Sequence, residues 1–154
     1  MVIFMDLVAY TMQYEGPTIK SALALVPFEA EYYEKYRDVY HDCFYEMRKA
    51  LELRPYCACD SLEQLLAKKE SIFLWVADNE IVGSVAVYEN EIDDLIVAKK
   101  FQNQGYGKQL LQFAIALLQE RERFPIRLRV AEWNRKAVSL YEHNGFRISE
   151  IIRS

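Results

Sequence analysis

Apolar residues recur every second position in several short runs and every three to four positions in others, and the two patterns alternate along the chain. Val2 to Tyr14 and Ile19 to Val26 read as strands. Between them lies Glu15-Gly16-Pro17-Thr18, which is turn chemistry, so a hairpin is expected. Phe28 to Leu53, rich in Tyr, Glu, Lys and Arg, reads as a long helix that stops near Pro55. Asp60-Ser61 opens a short helix through Lys68, with Ser61 and Gln64 at the spacing of a capping box. Ile72 to Ala77 and Ile81 to Tyr88 read as neighbouring strands joined by a turn at Asp78-Asn79-Glu80, and Glu91 to Val97 is the next strand. From Gln109 to Gln119 the period changes, and Leu110, Leu111, Ala114, Ile115 and Leu118 fall on one helical face. Phe124-Pro125 ends that segment. Ile126 to Ala131, a helix opened by Asn134, and Phe146 to Ile152 complete the order. Strands, helices, an antiparallel meander and then β-α-β-α-β describe an α/β chain with a mixed sheet and helices packed on it.

Composition narrows the classes. A chain of 154 residues suits one domain, and no repeat, low-complexity tract or linker divides it. Hydrophobic residues make up 52%, which excludes a disordered chain, and no apolar run is long enough to span a membrane. Met1 to Tyr10 is apolar but contains Asp6 and lacks a basic start, so no signal peptide is expected and the location is read as cytoplasmic. Cys43, Cys57 and Cys59 form no disulfide set and are expected as free thiols. Cys57-Ala58-Cys59 has the wrong spacing for a zinc knuckle, and His41 and His143 read as helix residues, so no metal is expected. A net charge of −4 argues against a nucleic-acid binder and suits an amine or basic peptide.

Candidate chemistry concentrates in Gln102-Asn103-Gln104-Gly105-Tyr106-Gly107-Lys108. The run lies between the strand Leu95-Ile96-Val97 and the helix that follows. Two glycines one residue apart let the backbone turn tightly and approach a ligand, and the free N–H groups of a helix start favour an anion. A Walker A loop would need glycine where Gln102 stands and Ser or Thr where Gln109 stands. A dinucleotide fingerprint would need a third glycine where Leu110 stands. A second segment runs from Trp133 to Phe146. Asn134 is a good N-cap, Asn144-Gly145 a good stop, and Ala137, Val138 and Tyr141 share the face that begins near Asn134.

The loop matches Gln/Arg-x-x-Gly-x-Gly/Ala, and the second segment matches Asn-x-x-Ala-x-x-x-Tyr-x-x-x-Gly-Phe. In this order, with one helix and one strand between them, they resemble the signatures of the GNAT superfamily of acyl-CoA-dependent N-acyltransferases. The resemblance covers residues 72–152, an acetyl-CoA-binding core. Residues 1–70 carry no family signal and are read as the variable, acceptor-binding part. The implied fold is a central mixed, mostly antiparallel sheet with flanking helices. It usually has one more C-terminal strand than follows Phe146 here, and the extra N-terminal strand, Val2 to Tyr14, is expected to take the missing edge position, in the same subunit or a partner.

The resemblance implies acetyl transfer from acetyl-CoA to the primary amine of a small molecule or peptide. Leu95, Ile96 and Val97 would bond the pantetheine arm through their backbone. The amides from Asn103 to Lys108 would hold the pyrophosphate, with Gln102 and Gln104 in the same loop. Gln102 is equally readable as a tie within the loop. Asn134 would contact the pantetheine region, and Tyr141 would protonate the departing sulfur. The base is sought among Glu91, Asp93 and Asp94. Glu91 stands where one branch of the family carries its carboxylate, and strand alternation puts Glu91 and Asp93 on one face and Asp94 on the other. Another branch places a glutamate five residues before Asn134; Arg129 stands there, with Glu132 displaced by three. Tyr32, Tyr33, Tyr36, Tyr40 and Tyr45 are candidates for an acceptor pocket, although Tyr33, Tyr36 and Tyr40 also have the spacing of ordinary core packing. Homodimers are common in the family. A noncatalytic acyl-CoA-binding module and a protein binding ATP or NAD are the alternatives.

Overall fold

The computed structural model describes residues 7–154. Its elements are β1 (Val8–Tyr14), β2 (Val26–Pro27), α1 (Tyr33–Ala50), α2 (Leu62–Ala67), β3 (Ile72–Ala77), β4 (Glu80–Tyr88), β5 (Glu91–Val97), α3 (Tyr106–Glu120), β6 (Arg127–Ala131), α4 (Arg135–His143) and β7 (Phe146–Arg153). The strands form one seven-stranded sheet in the order β2-β3-β4-β5-β6-β1-β7. Every pairing is antiparallel except β5 with β6.

Two apolar clusters cover the two faces of the sheet. The period of two in β4 divides them, with Val85 and Val87 in one and Ala86 in the other. The first cluster lies under α3 and α4. Leu110, Leu111, Ala114, Ile115 and Leu118 are all buried there, as the helical period predicts, beside Met12, Leu128 and Phe146. The second lies under α1 and α2 and contains Phe28, Tyr36, Leu65, Leu74 and Ile96. Tyr36 is therefore a core residue. α1 begins later than the expected helix, because Phe28 packs into the core ahead of a 3-10 turn at Ala30–Tyr32. α2 carries the expected capping box: Gln64 N donates to Ser61 Oγ at 3.2 Å and Ser61 N to Gln64 Oε1 at 2.9 Å.

Two expectations are corrected at the N-terminal side. Val2 to Asp6 lie outside the described residues. β1 does not form a hairpin with Ile19 to Val26; it lies between β6 and β7 and bonds to both. With both edges of β1 taken, Ile19 to Leu25 has no ladder to join. Ile19, Leu23 and Leu25 instead pack against the α3-side cluster. Their backbone is tied to the helix end: Ile19 N donates to Gln119 Oε1 at 3.0 Å and Gln119 Nε2 to Pro17 O at 3.1 Å. Only Val26–Pro27 pairs, with β3. The second correction is that β1 fills an interior position of the same chain, and β7 is the edge. Burial explains the placement. Thr11 and Met12 are buried on β1, whereas Ile148 and Ile151 on β7 are 42% and 52% exposed.

An interior β1 makes a graded prediction. Met12→Ala removes a fully buried side chain and should cost about 2–5 kcal/mol in urea unfolding. Ile148→Ala on the exposed edge should cost less than about 1 kcal/mol. Equal losses would contradict the interior placement of β1.

Candidate functional site

The site begins where the sheet comes apart. β5 and β6 pair at only two rungs, Glu91↔Arg127 and Ile92↔Leu128. Beyond them β6 stays bonded to β1 as far as Ala131, and β5 stays bonded to β4 as far as Val97. Each strand follows its outer neighbour, and a cleft of about 370 Å³ opens between them. That is within the usual range of small-molecule sites, about 300–1,000 Å³. Every residue of the expected cofactor set lines it except Gln104: Leu95 to Val97, Gln102, Asn103, Gly105 to Lys108, Asn134 and Tyr141. The side chain of Gln104 turns back, with Nε2 donating to Lys100 O at 3.2 Å.

The loop at one end is shaped by a short 3-10 turn at Lys99–Phe101 and by two left-handed residues, Asn103 at φ 63° and Gly105 at φ 88°. Gly105 is the N-cap of α3, and glycine accepts that conformation without a Cβ penalty. The first bond into the helix runs from Gln109 N to Gly105 O at 3.3 Å. The amides of Tyr106, Gly107 and Lys108 precede it and have no helical acceptor. They face the cleft end with the positive end of the helix dipole behind them. Gln102 is a tie: its Nε2 donates to Val97 O at 2.9 Å, and Cys43 Sγ donates to the same carbonyl at 3.2 Å. Burial pushes the Cys43 thiol up to about 11, so it remains a protonated donor. Lys136 Nζ donates to Asn103 Oδ1 and links the start of α4 to the loop.

The opposite wall comes from α4. Asn134 caps the helix, with Oδ1 accepting from Ala137 N at 3.3 Å, and also lines the cleft. Tyr141 is 8% exposed and packs edge-on against Phe146, with ring centroids 6.0 Å apart. Burial, and then the charges of Asp93 and Asp94, push its phenol well above the usual range. At neutral pH the hydroxyl keeps its proton.

The acidic residues of β5 separate. Glu91 does not line the cleft. Its Oε1 is 3.6 Å from Arg129 Nε, and both lie in a second, polar recess with Arg127 and Tyr88. Glu132 accepts from Tyr10 OH at 2.6 Å. Asp93 is exposed, and its Oδ1 accepts from Asp94 N at 2.8 Å. The simple alternation expected for these residues fails, because the β4–β5 register shifts between Ser84 and Ala86 and Asp94 takes φ 46°. This bulge turns Asp94 toward α1, where Tyr40 OH donates to Asp94 Oδ1 at 3.4 Å. Burial first, and the Asp93 charge second, raise its carboxyl from 3.8 to about 6. The pattern reading counted Asp94 among the candidate acids but not the bulge that reorients it; an Asp-Asp pair ahead of an apolar run was the signal available, since Asp tolerates the left-handed region. The two histidines lie apart from the cleft: His143 Nδ1 is 2.7 Å from Ser139 O and His41 Nε2 is 3.7 Å from Cys57 Sγ. Among the described residues, no group of three or more His, Cys, Asp or Glu is placed to hold a metal ion.

Comparison with known proteins identifies the family and the fold. The sequence model of the Acetyltransferase (GNAT) family matches residues 31–146. An acetyltransferase from the GNAT family of Colwellia psychrerythraea superposes with a TM-score of 0.71 at 13% identity, over 97% of this chain and 56% of that one. A GNAT-family acetyltransferase of Staphylococcus aureus MU50 gives 0.61 at 20% identity, over 80% and 82%. A transcriptional regulator of Bacillus halodurans C-125 gives 0.65 at 21% identity, over 82% and 94%. At such identities the likeness is one of fold. The chain spans little more than half the length of the Colwellia protein, at 56%.

The raised Asp94 carboxyl predicts a pH signature. A carboxyl raised on folding stabilises the protonated folded state, and that stability is lost as pH rises through about 6. Asp94→Asn should therefore be more stable than the parent at pH 8, by on the order of 3 kcal/mol. The two should converge below about pH 4. Urea unfolding at both pH values checks this, and a less stable Asn variant at pH 8 would contradict it.

Proposed function

The chain belongs to the acetyltransferase (GNAT) family, and from that premise we propose that it transfers an acetyl group from acetyl-CoA to a primary amine by direct attack in a ternary complex. The observation that carries this reading is the cleft between β5 and β6, which has free helix-start amides at one end and Tyr141 on its wall. The residues fit the group. The pyrophosphate needs convergent N–H donors, and Tyr106, Gly107 and Lys108 offer them without an intervening side chain at Gly105 or Gly107. The pantetheine arm needs backbone partners along an unpaired strand edge. β5 has such an edge at Leu95 and Ile96, where β6 has moved away. The Val97 carbonyl already accepts from Gln102 and Cys43 and serves to fix the loop on the strand.

Acetyl-CoA supplies an acyl group activated as a thioester. The chain supplies position and protons. A backbone N–H of β5 donates to the carbonyl oxygen, where negative charge develops. The amine nitrogen forms its bond to the acyl carbon as the carbon–sulfur bond breaks. The amine gives up its proton to a carboxylate on β5, directly or through water, and Tyr141 OH protonates the sulfur. Among the sequence candidates, Asp93 is exposed and Glu91 is held by Arg129 in the other recess. That pairing favours the noncatalytic acyl-CoA-binding reading, which Tyr141→Phe separates from catalysis. The acceptor, a small-molecule or peptide amine, enters from the α1 side. No helix among the described residues is long and apolar enough to cross a membrane, and the proposal extends to a cytoplasmic protein. The open edge of β7, with Ile148 and Ile151 exposed, supports a homodimer.

Calorimetry with acetyl-CoA, and with CoA, ATP and NAD as controls, tests the cradle. A Cβ at Gly107 would lie 3.5 Å from Leu140 Cδ2 and 3.7 Å from Val97 Cγ2, so alanine fits and a larger side chain enters the cleft. Gly107→Leu should abolish acetyl-CoA binding without unfolding the protein. Tighter binding of ATP or NAD than of CoA would overturn the proposal. Tyr141→Phe should lower turnover about 10²-fold or more, with acetyl-CoA binding unchanged. Full turnover in that variant would remove Tyr141 as the acid.

A further inference from the structure

The cleft passes through the sheet. Leu95, Val97, Leu140 and Tyr141 on its lining belong to the apolar cluster under α3 and α4, whereas Cys43, Phe44 and Ile96 belong to the cluster under α1 and α2. The free amides at the start of α3 lie on the first side. A thioester held there by its pyrophosphate reaches into the split from that side. Its acyl end, the part farthest from the pyrophosphate, meets what α1 places on the other.

α1 places Phe44 there, and its ring is the last of a stack. Tyr36, Tyr40 and Phe44 recur every fourth position, so one helix face carries all three. Phe28 packs on Tyr36 with ring centroids 5.5 Å apart, Tyr36 on Tyr40 at 6.0 Å and Tyr40 on Phe44 at 4.6 Å. Phe28 and Tyr36 are 0% and 1% exposed, so the stack is rooted in the core. A ring backed in this way has no space to retreat into, because interiors are close-packed. The helix is fixed beside it as well: Cys43, the residue before Phe44, donates to the Val97 carbonyl at 3.2 Å. Tyr40 marks the reacting end of the cleft. Its hydroxyl donates to Asp94 Oδ1 at 3.4 Å, and Asp94 is one of the two charges that act on Tyr141.

From this arrangement we infer that Phe44 sets the upper limit on the acyl chain, closing the cleft behind an acetyl group and excluding longer straight-chain acyl groups. The inference rests on the acetyl-transfer reading and names the donor it accepts. An acetyl group ends in one methyl, which fits against a ring. Each further methylene needs volume that the stack denies on the α1 side. Tyr141, buried against Phe146, denies it on the α4 side. A single methylene in an apolar pocket already changes discrimination by about 10-fold or more. The ring is also the only part of the stack on the cleft lining. The space left by truncating it would be walled by Leu95, Ile96 and the Tyr40 ring, an apolar channel suited to an alkyl chain. The residue that excludes a long chain therefore admits one when it is made small.

Calorimetry of the full chain with free CoA, acetyl-CoA, butyryl-CoA and hexanoyl-CoA tests this without an acceptor amine. The parent protein should bind hexanoyl-CoA at least about 10-fold more weakly than acetyl-CoA, with butyryl-CoA between them. Phe44→Ala should reverse that order. Phe44→Leu keeps a large apolar side chain on the stack and should shift the ratio in the same direction by less; it carries the test if the alanine variant fails to fold. Phe124→Ala removes a ring that is 62% exposed and outside the cleft, and should leave the ratio at the parent value. A shift there as large as that of Phe44→Ala would overturn the assignment. Equal affinity of the parent for acetyl-CoA and hexanoyl-CoA, or a ratio that neither Phe44 variant moves, overturns the limit, while acetyl-CoA binding leaves the acetyltransferase reading standing. A parent protein that binds neither free CoA nor acetyl-CoA overturns that reading first, and the limit with it.

Discussion

The two-rung pairing of β5 with β6 is the constraint on which the site depends. A sheet normally closes its backbone bonds along the whole length of two neighbours. Here each strand is held more strongly by its other neighbour, β5 by β4 and β6 by β1, and both are pinned to one apolar cluster through Ile92 and Leu128. The strands separate because those outer ladders fix their directions. The backbone groups left at Leu95 and Ile96 are then available to a ligand, and the cleft is the space they face. Removing β1 would free β6 to follow β5, so an N-terminal strand far from the chemistry holds the cleft open.

The same strand carries a local cost in stability. Asp94 is a left-handed, half-buried carboxylate, with the Ser84 oxygen unpartnered on the same face. A folding-optimised core would carry apolar side chains at these positions. By contrast, Gln102 and Cys43 satisfy the Val97 carbonyl twice, and Lys136 secures Asn103. The loop is thus tied down by the protein's own side chains, while the amides at the start of α3 are left free.

How far each feature was legible depended on the range of the interactions behind it. The capping box at Ser61 and Gln64, the N-cap at Asn134, the buried stripe of α3 and the Gly105 turn are local, and each residue that makes them is within four positions of the next. All were readable. The hairpin at Glu15-Gly16-Pro17-Thr18 was misread because its turn chemistry is real but its partner strand is not: β1 found better partners more than a hundred residues away. The alternation of Glu91, Asp93 and Asp94 was misread because a bulge depends on the register of β4, which a single strand does not reveal.

The sequence by itself determined most of the elements, the family and the glycine turn ahead of α3, since backbone conformation at glycines, caps and periodic faces follows from neighbours in the chain. Tertiary structure alone decided that β1 lies inside the sheet, that Glu91 is engaged by Arg129 away from the cleft, and that Asp94 turns to meet Tyr40. Each of those outcomes is a competition between distant segments for the same strand edge or the same charge. The winner is set by burial and pairing across the whole sheet, which no local pattern encodes.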